Sequence, residues 1–203
     1  MAIEVYRAKI RGIRKLLCHN AAQLANPMSD LSRRMKELTG LTASKKTEEH
    51  HKQIAQLEWT GGLYLDSDKR PIIPDTCLEG MLTQASRARR LGPKFESGVV
   101  VIDNPRIEHC GPKGATAADL LGDERFVDFR PVGINGDKKI MRTRPCFPAG
   151  WMLDFRIQIE TEQVSADVLE AVLKAGGSRV GLGDYRPKFG LFEVVSFGPE
   201  KKR

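Results

Sequence analysis

A glycine-rich segment, residues 176–190, contains the residue types best suited to hold a phosphate group. Its key glycines are Gly181, Gly183 and Gly190. Glycine tolerates positive φ and close approach, so backbone N–H groups in such a loop could face phosphate oxygens. The cations interleaved with the glycines are Arg179, Arg186 and Lys188. We therefore predict a phosphate-binding loop, with a purely geometric long turn as the alternative.

Few aromatic side chains are placed to stack on nucleobases, since aromatic residues make up only 6% of the chain. The main candidates are Tyr6, Tyr185 and Phe189, although the last two could equally anchor the loop in the core. Binding should thus depend on phosphate and sugar contacts and show weak sequence preference.

His19 is the main candidate for acid–base chemistry, because it follows the first predicted strand in Leu-Leu-Cys-His-Asn. A second acid–base group or a cation would also be needed, and Arg14 or Lys15 could supply it. The alternative is that His19 is a hydrogen-bonded turn residue. We expect binding without catalysis, and keep a metal-independent ribonuclease that uses His19 as the second hypothesis.

No metal site is expected from the histidines and cysteines. They form three adjacent pairs, Cys18-His19, His50-His51 and His109-Cys110. Neighbouring side chains diverge on a strand or helix, so none of these pairs has ligand spacing. The four cysteines also lack a C-x-x-C pair, which favours a reducing cytoplasm over a disulfide framework. We expect no cofactor.

The charge balance indicates an anionic partner. Lys and Arg number 33 against 26 Asp and Glu, giving a formal charge of +7 and a sequence pI of about 9.3. Such a balance is typical of phosphate-binding proteins, although it could serve solubility alone. Neither a secretory leader nor a membrane-spanning run is evident, so we expect a cytoplasmic protein without a membrane partner.

Two segments with period-two patterning predict the central strands. In the first, Glu4 to Gly12, apolar even positions alternate with basic Arg7, Lys9 and Arg11. In the second, Trp151 to Glu160, apolar odd positions alternate with polar ones. Each predicts a strand with one buried face, and the first would present a cationic outer face.

Two other segments read as additions to a single domain that spans residues 1–203. Residues 28–60 predict a helical insertion whose second helix is capped by Thr47 and stopped by Gly61-Gly62. Residues 126–146 predict a β-hairpin, because Asn135-Gly136 lies between two extended runs. Arg142 and Arg144 on the hairpin are further candidates for nucleic-acid contacts.

Without these additions, the order of elements is strand, helix, strand, strand, helix, strand, which predicts an α+β, ferredoxin-like βαββαβ core. The first helix should start at the capping box Thr76-x-x-Glu79, and Ser165 should cap the second. The last strand then lies beside the first, so His19 and Asn20 should neighbour the glycine-rich loop.

Three segments resemble the RAMP superfamily, whose members build CRISPR guide-RNA complexes or process their guides. Residues 180–194, Val-Gly-Leu-Gly-Asp-Tyr-Arg-Pro-Lys-Phe-Gly-Leu-Phe-Glu-Val, resemble its defining glycine-rich loop. Residues 71–82, Pro-Ile-Ile-Pro-Asp-Thr-Cys-Leu-Glu-Gly-Met-Leu, are similar to the approach to its first helix, except that Asp75 replaces the usual glycine. The Leu-Leu-Cys-His-Asn turn is similar to the end of its first strand.

The resemblance implies a protein that binds single-stranded RNA, and guide-processing members place a catalytic histidine near the glycine loop. Phage-encoded proteins share the pattern, so single-stranded DNA stays open as a ligand. Backbone-type members use projections to clamp the strand between subunits. The insertion and the hairpin accordingly predict a homo-oligomer that assembles along the strand.

Overall fold

The computed structural model describes residues 2–133 and 139–200. The strands are Ile3–Gly12 (β1), Leu16–Leu17 (β2), Val99–Val101 (β3), Val127–Gly133 (β4), Lys139–Phe147 (β5), Met152–Glu160 (β6) and Phe192–Pro199 (β7). The α-helices are Ala21–Leu24 (α1), Asp30–Gly40 (α2), Glu48–Gly62 (α3), Asp75–Arg87 (α4), Gly92–Gly98 (α5), Ala117–Leu120 (α6) and Ala166–Ala175 (α7). Short 3₁₀ turns lie at Ala43–Lys45 and Glu124–Phe126, and a π turn at Gly176–Val180.

The main sheet has four antiparallel strands in the order β3-β6-β1-β7. Along the chain, β1, α4, β3, β6, α7 and β7 follow one another as strand, helix, strand, strand, helix, strand. Both the element order and the sheet order are those of a ferredoxin-like core. The predicted α+β fold is therefore confirmed.

Alternation along the two central strands explains how this sheet forms its core. From Tyr6 onward the even residues of β1 are buried, Ala8 and Ile10 fully, and Leu153 and Ile157 of β6 are fully buried as well. In the register of this pair Lys9 lies opposite Asp154, so the polar residues of both strands share the other face.

Helices α4 and α7 cover the buried face of the sheet. Leu78, Met81 and Leu82 of α4 are buried, as the sequence periodicity predicts. A Cβ atom on Gly176, which follows α7, would lie 2.2 Å from the sulfur of Met81. This glycine therefore permits close packing of the two helical segments.

The start of α4 differs from the predicted capping box. The helix begins at Asp75 after Pro74, which makes no capping bond, and the N–H of Asp75 donates instead to Oδ1 of Asn104 at 2.9 Å. Glu79 instead accepts a hydrogen bond from the backbone N–H of Val101 at 2.9 Å, which ties α4 to β3. The prediction was wrong because Glu79 has a tertiary partner on the sheet. Ser165 does occupy the N-cap position of α7, but its side chain makes no capping bond.

The helical insertion packs against the second sheet, whose strand order is β2-β5-β4. Thr47 caps α3 as predicted, and the helix ends at Gly62. Buried Trp59 of α3 donates its Nε1–H to the carbonyl of Phe126 at 2.8 Å. The antiparallel pair β4 and β5 confirms the two strands of the predicted hairpin, while Asn135-Gly136 lies outside the described residues.

Candidate nucleic-acid interface

The glycines of the 176–190 segment allow the chain to approach itself closely. Gly181, Gly183 and Gly190 have φ angles of +77°, +73° and +74°. A Cβ atom would lie 2.2 Å from the Leu17 carbonyl oxygen at Gly183, and 1.8 Å from the Leu182 carbonyl oxygen at Gly190. Any other residue at these two positions would clash with backbone.

Several backbone N–H groups of this loop donate hydrogen bonds to the protein itself. The N–H of Gly181 donates to the Gly176 carbonyl at 2.8 Å, and the N–H of Gly190 donates to the Lys15 carbonyl at 2.7 Å. The N–H of Leu182 is held by the Gly190 carbonyl at 2.9 Å. These three N–H groups are therefore not available for the predicted phosphate cradle, and phosphate binding by the loop stays a prediction.

The predicted closeness of the loop to the turn after β1 is confirmed. The loop bonds to the carbonyls of Lys15 and, through the Asp184 N–H at 2.8 Å, of Leu17. His19 follows directly and its side chain is exposed. Asn20 has a structural role, because it is buried, caps α1 and donates from its side-chain amide to the Leu63 carbonyl at 3.0 Å.

A cationic cavity of about 550 Å³ opens where this turn meets the loop and the hairpin. We call it the basic pocket, and its lining residues are Ile13, Arg14, Lys15, Arg130, Ala149, Lys188 and Phe189. None of these residues is acidic. Arg14, Lys15 and Lys188 are exposed, and none of them forms an ion pair within the described part of the chain. Three unneutralised cations thus converge on one concave surface.

Aromatic rings and arginines organise the wall of the basic pocket. The Arg130 guanidinium lies 4.5 Å from the ring centroid of Phe189 and pairs with the buried carboxylate of Asp128. Phe189 in turn meets Tyr185 edge to face, with ring centroids 6.1 Å apart. Tyr185 is 40% exposed, so part of its ring is open to a ligand. Phe189 therefore belongs to the pocket wall. Its expected role in base stacking stays a prediction.

Arg144 holds the hairpin to the glycine-rich loop. Its Nε–H donates to Asp184 at 2.7 Å, and the residue is only 8% exposed. Its guanidinium also lies 5.9 Å from the Tyr185 ring centroid. Since it is buried and paired, Arg144 supports the interface instead of presenting a free cation, contrary to the prediction from sequence.

The basic face of β1 is present, but acidic neighbours offset its charge. Arg7 pairs with Asp154 at 2.7 Å and Arg11 with Glu193 at 2.5 Å, while Lys9 lies 3.7 Å from Glu108. The Asp154 carboxylate raises the pKa of Arg7 above its usual range, mainly by hydrogen bonding. The strand carries the predicted cations, yet the face as a whole is nearly balanced.

The other predicted contact residues lie at different places. Arg142 pairs with buried Glu58 of α3, and Arg179 is exposed on the π turn after α7. Arg186 is exposed at the loop tip beside Lys188. Tyr6 is buried and stacks on Phe197 with centroids 5.2 Å apart, so it is not a platform for bases.

Arg14, Lys15 and Arg130 line the basic pocket, yet none of them is among the nucleic-acid contacts expected from the sequence. The sequence indicates Arg14 and Lys15 only as partners of His19. The available signal was topological, because residues of the turn after β1 must lie near the loop before β7.

The thiols of Cys18 and Cys146 are buried. Burial raises the pKa of Cys18 well above its ordinary range and that of Cys146 to about 11, so both are protonated near neutral pH. Among the residues that the structure describes, no group of three His, Cys, Asp or Glu side chains is arranged to hold a metal ion. Within that same part of the chain, no helix is long and apolar enough to span a membrane.

Comparisons with known proteins found weak structural likenesses. No family model and no curated protein sequence matches the chain. A chain in a cryo-EM structure of the type III-B Cmr-beta bound to cognate target RNA is 14% identical, with a TM-score of 0.49. The alignment covers 98% of the present chain but only 61% of that one. Cmr6 from Pyrococcus furiosus is 11% identical, with a TM-score of 0.37 over 96% of the present chain and 99% of Cmr6.

Both neighbours are RAMP-family proteins of type III-B CRISPR systems, the superfamily that the sequence resembles. At TM-scores below 0.5 these likenesses carry no argument about function. What the structure itself shows is a ferredoxin-like sheet order with a glycine-rich loop that precedes the last strand.

Proposed function

We propose that this protein binds single-stranded RNA or DNA by its phosphate backbone, with the basic pocket as the main site. The observation that carries the proposal is the convergence of Arg14, Lys15 and Lys188, all exposed and unpaired within the described chain, on a cavity without an acidic lining residue. Such cations bind phosphate oxygens and release counterions from the strand.

The aromatic side chains at the site favour a single strand over a duplex. Phe189 lines the pocket and the exposed Tyr185 lies beside Phe189, so both offer aromatic surface to an unstacked base. Arg186 extends the positive charge along the loop tip. Stacking on aromatic rings tolerates any base, so we expect little sequence preference.

The bound nucleic-acid strand should continue from the basic pocket toward the polar face of β1. There Arg7, Lys9 and Arg11 keep partial exposure but share their charge with acidic neighbours. Their contribution to affinity should therefore be smaller than that of the pocket. Gly183 supports the site by allowing the loop to pack against Leu17, and Gly181 does so by allowing close approach to the backbone of Phe189 and Gly190.

Salt-dependent binding to a labelled strand of mixed sequence tests this proposal. Lys15→Ala and Lys188→Ala should each weaken binding several-fold and reduce the log–log salt slope by about 0.7, the value for one lost phosphate contact on a single strand. Lys174→Ala is the matched control, since this exposed lysine lies on α7 and pairs with Glu170.

The slope of the logarithm of the binding constant against the logarithm of the salt concentration should be alike for strands of unrelated sequence. A flat salt dependence in the wild type, or equal effects of the pocket variants and the Lys174 control, would contradict the proposal. Arg7→Ala and Arg11→Ala measured in the same series show whether the bound strand reaches the sheet.

Ribonuclease activity is the second candidate function. His19 is exposed and lines a groove together with His51, Lys46 and Arg142, so two imidazoles and two cations share one surface. Incubation of RNA with the protein in EDTA decides between the two. Cleavage that disappears in His19→Ala would establish the enzyme, whereas intact RNA supports binding alone.

We also propose that copies of the protein assemble along the strand. Outside the residues that face α2 and α3, Pro131, Gly133 and Lys139 on the outer part of β4 and β5 are exposed, which leaves this end of the hairpin open to a neighbouring subunit. A head-to-tail contact of this kind repeats along a linear ligand instead of closing on itself.

A further inference from the structure

A large groove separates the hairpin from the helical insertion. Its cavity volume is about 1070 Å³, and it is lined on the hairpin side by Phe129, Met141, Thr143 and Arg144 and on the helical side by Met35 and Ile54. We call it the hairpin groove. Its size lies at the upper end of the range for small-molecule sites.

Two buried polar atoms of the hairpin groove have no hydrogen-bond partner among the described residues. They are Oγ1 of Thr143 and Nη1 of Arg144, in side chains that are at least nine-tenths buried. An unpaired buried donor or acceptor costs about 1 to 3 kcal/mol. Both residues line the groove, so a ligand that reaches them with polar atoms would remove this cost.

The remaining lining of the groove combines apolar surface with a cationic rim. Phe129 offers an exposed ring, and Met35, Ile54 and Met141 provide apolar contacts. Lys46 and Arg142 lie at the same groove. Among the described lining residues, Glu58 alone is acidic, and it is paired with Arg142 and with the backbone N–H of Thr143 at 2.8 Å. A flat aromatic ligand with polar edges and a phosphate fits this lining.

We propose that the hairpin groove is a nucleotide site, which takes an unstacked nucleobase against Phe129, with its polar edge toward Thr143 and Arg144 and its phosphate toward Lys46. This inference rests on the proposed function, because the expected source of the base is the strand held in the basic pocket. A free mononucleotide carries the same chemistry and is the other source.

The hairpin groove lies close to the basic pocket along the chain. Lys15 lines the pocket and His19 lines the groove, and the Cα atoms of these two residues are at most about 14 Å apart. Arg144 links them physically, because it lines the groove and binds Asp184 of the glycine-rich loop. One strand can therefore reach both sites.

Strands without bases distinguish binding in the hairpin groove from binding in the basic pocket, because they keep the phosphates and lack the base. A strand of normal bases should bind about tenfold more tightly than an all-abasic strand of equal length and charge, the gain from seating one base. Phe129→Ala should reduce this ratio to near one. Val195→Ala, which removes an exposed apolar side chain on β7 outside the groove, should leave the ratio unchanged.

Thr143→Val provides a second test, which distinguishes a role of Thr143 in ligand binding from a role in the fold alone. The substitution removes an unpaired buried hydroxyl, so it should leave the thermal midpoint unchanged or raise it. It should nevertheless lower the ratio of normal to abasic affinity several-fold. Crosslinking of a strand that contains 5-iodouridine should label peptides that include Phe129 or Met141.

The outcomes distinguish the two proposals. Equal binding of normal and abasic strands would overturn the nucleotide site while the backbone function stands. If the normal strand binds and the abasic strand does not, the result would support the nucleotide site in the hairpin groove and overturn backbone binding in the basic pocket. Competition by free AMP that removes only the base-dependent part of the affinity would assign the groove to a free nucleotide, and its failure would assign the groove to a base within the strand.

Discussion

At the scale of single residues, the interface separates cations that can bind a ligand from cations that hold the protein together. Lys15, Lys188 and Arg186 are exposed and have no ion pair within the described chain, whereas Arg144 is buried against Asp184. Charge alone does not show this difference, because burial and pairing decide whether a guanidinium can still take a phosphate.

Substitution of Arg144 should mainly affect stability. Arg144→Ala removes the contact with Asp184 and the packing on Tyr185, so the free energy of unfolding should fall by about 2 to 3 kcal/mol. The double variant Arg186→Ala/Lys188→Ala should weaken strand binding with a change of less than about 0.5 kcal/mol in stability. Urea unfolding measures both, and comparable destabilisation in the double variant would show that the loop tip is structural.

His109 should make the protein sensitive to acid. Its ring packs against Phe126 with centroids 5.3 Å apart, and Nδ1 accepts a hydrogen bond from the Gly111 N–H at 3.1 Å. Burial lowers the pKa of His109 below its ordinary value of 6.5. In the unfolded chain the imidazole therefore binds a proton at a higher pH than in the folded protein.

The contribution of neutral His109 to the free energy of unfolding should be complete above about pH 6.5, the ordinary pKa of histidine in the unfolded chain. It should be lost as the pH falls through the lower pKa of His109 in the folded protein. His109→Gln should accordingly reduce the loss of stability between pH 7.5 and 5.5, measured as the change in urea midpoint. If the urea midpoint falls by the same amount between pH 7.5 and 5.5 in the wild type and in His109→Gln, this assignment is wrong.

At the scale of elements, the insertion and the base of the hairpin form one unit. Glu58 of α3 is 5% exposed and binds both Arg142 and the backbone of Thr143. Trp59 adds the hydrogen bond to the Phe126 carbonyl. Cutting the hairpin back as far as Phe129 and Arg144 would leave the Glu58 carboxylate buried without its partners, so only the outer part can be removed safely.

Replacement of residues 132–140 by a two-residue turn should leave the fold and the affinity for a short strand nearly unchanged. On long strands the wild-type protein should bind cooperatively, and the shortened variant should lose most of that cooperativity if the outer hairpin contacts a neighbour. Light scattering with a long single strand provides the measurement. Isolated monomers at saturating ligand in the wild type would refute assembly along the strand.

At the scale of the whole molecule, the positive charge is unevenly distributed. The formal charge of +7 coexists with a sheet face on which Arg7, Lys9 and Arg11 have acidic partners. The unpaired cations of the basic pocket gather where the turn after β1 meets the loop before β7. A field concentrated at one concavity raises the rate of encounter with a polyanion and orients it.

The sequence alone determined the order of the core elements and the faces that they bury. Alternation in β1 and β6 and the periodicity of α4 depend on neighbours along the chain, so they can be read without coordinates. The ferredoxin-like order in turn required the first strand to lie beside the last. This placed the Lys15–Leu17 turn against the glycine-rich loop, as the hydrogen bonds confirm.

Only the tertiary structure decided which side chains and backbone groups are free. The N–H groups of Gly181 and Gly190 are used by carbonyls, and Glu79 reaches Val101 instead of capping α4. The basic cavity and the hairpin groove likewise combine residues far apart in sequence. Hydrogen bonds and ion pairs act over a few ångströms in space, so the pairing of a charge is set by distant segments that composition and spacing do not encode.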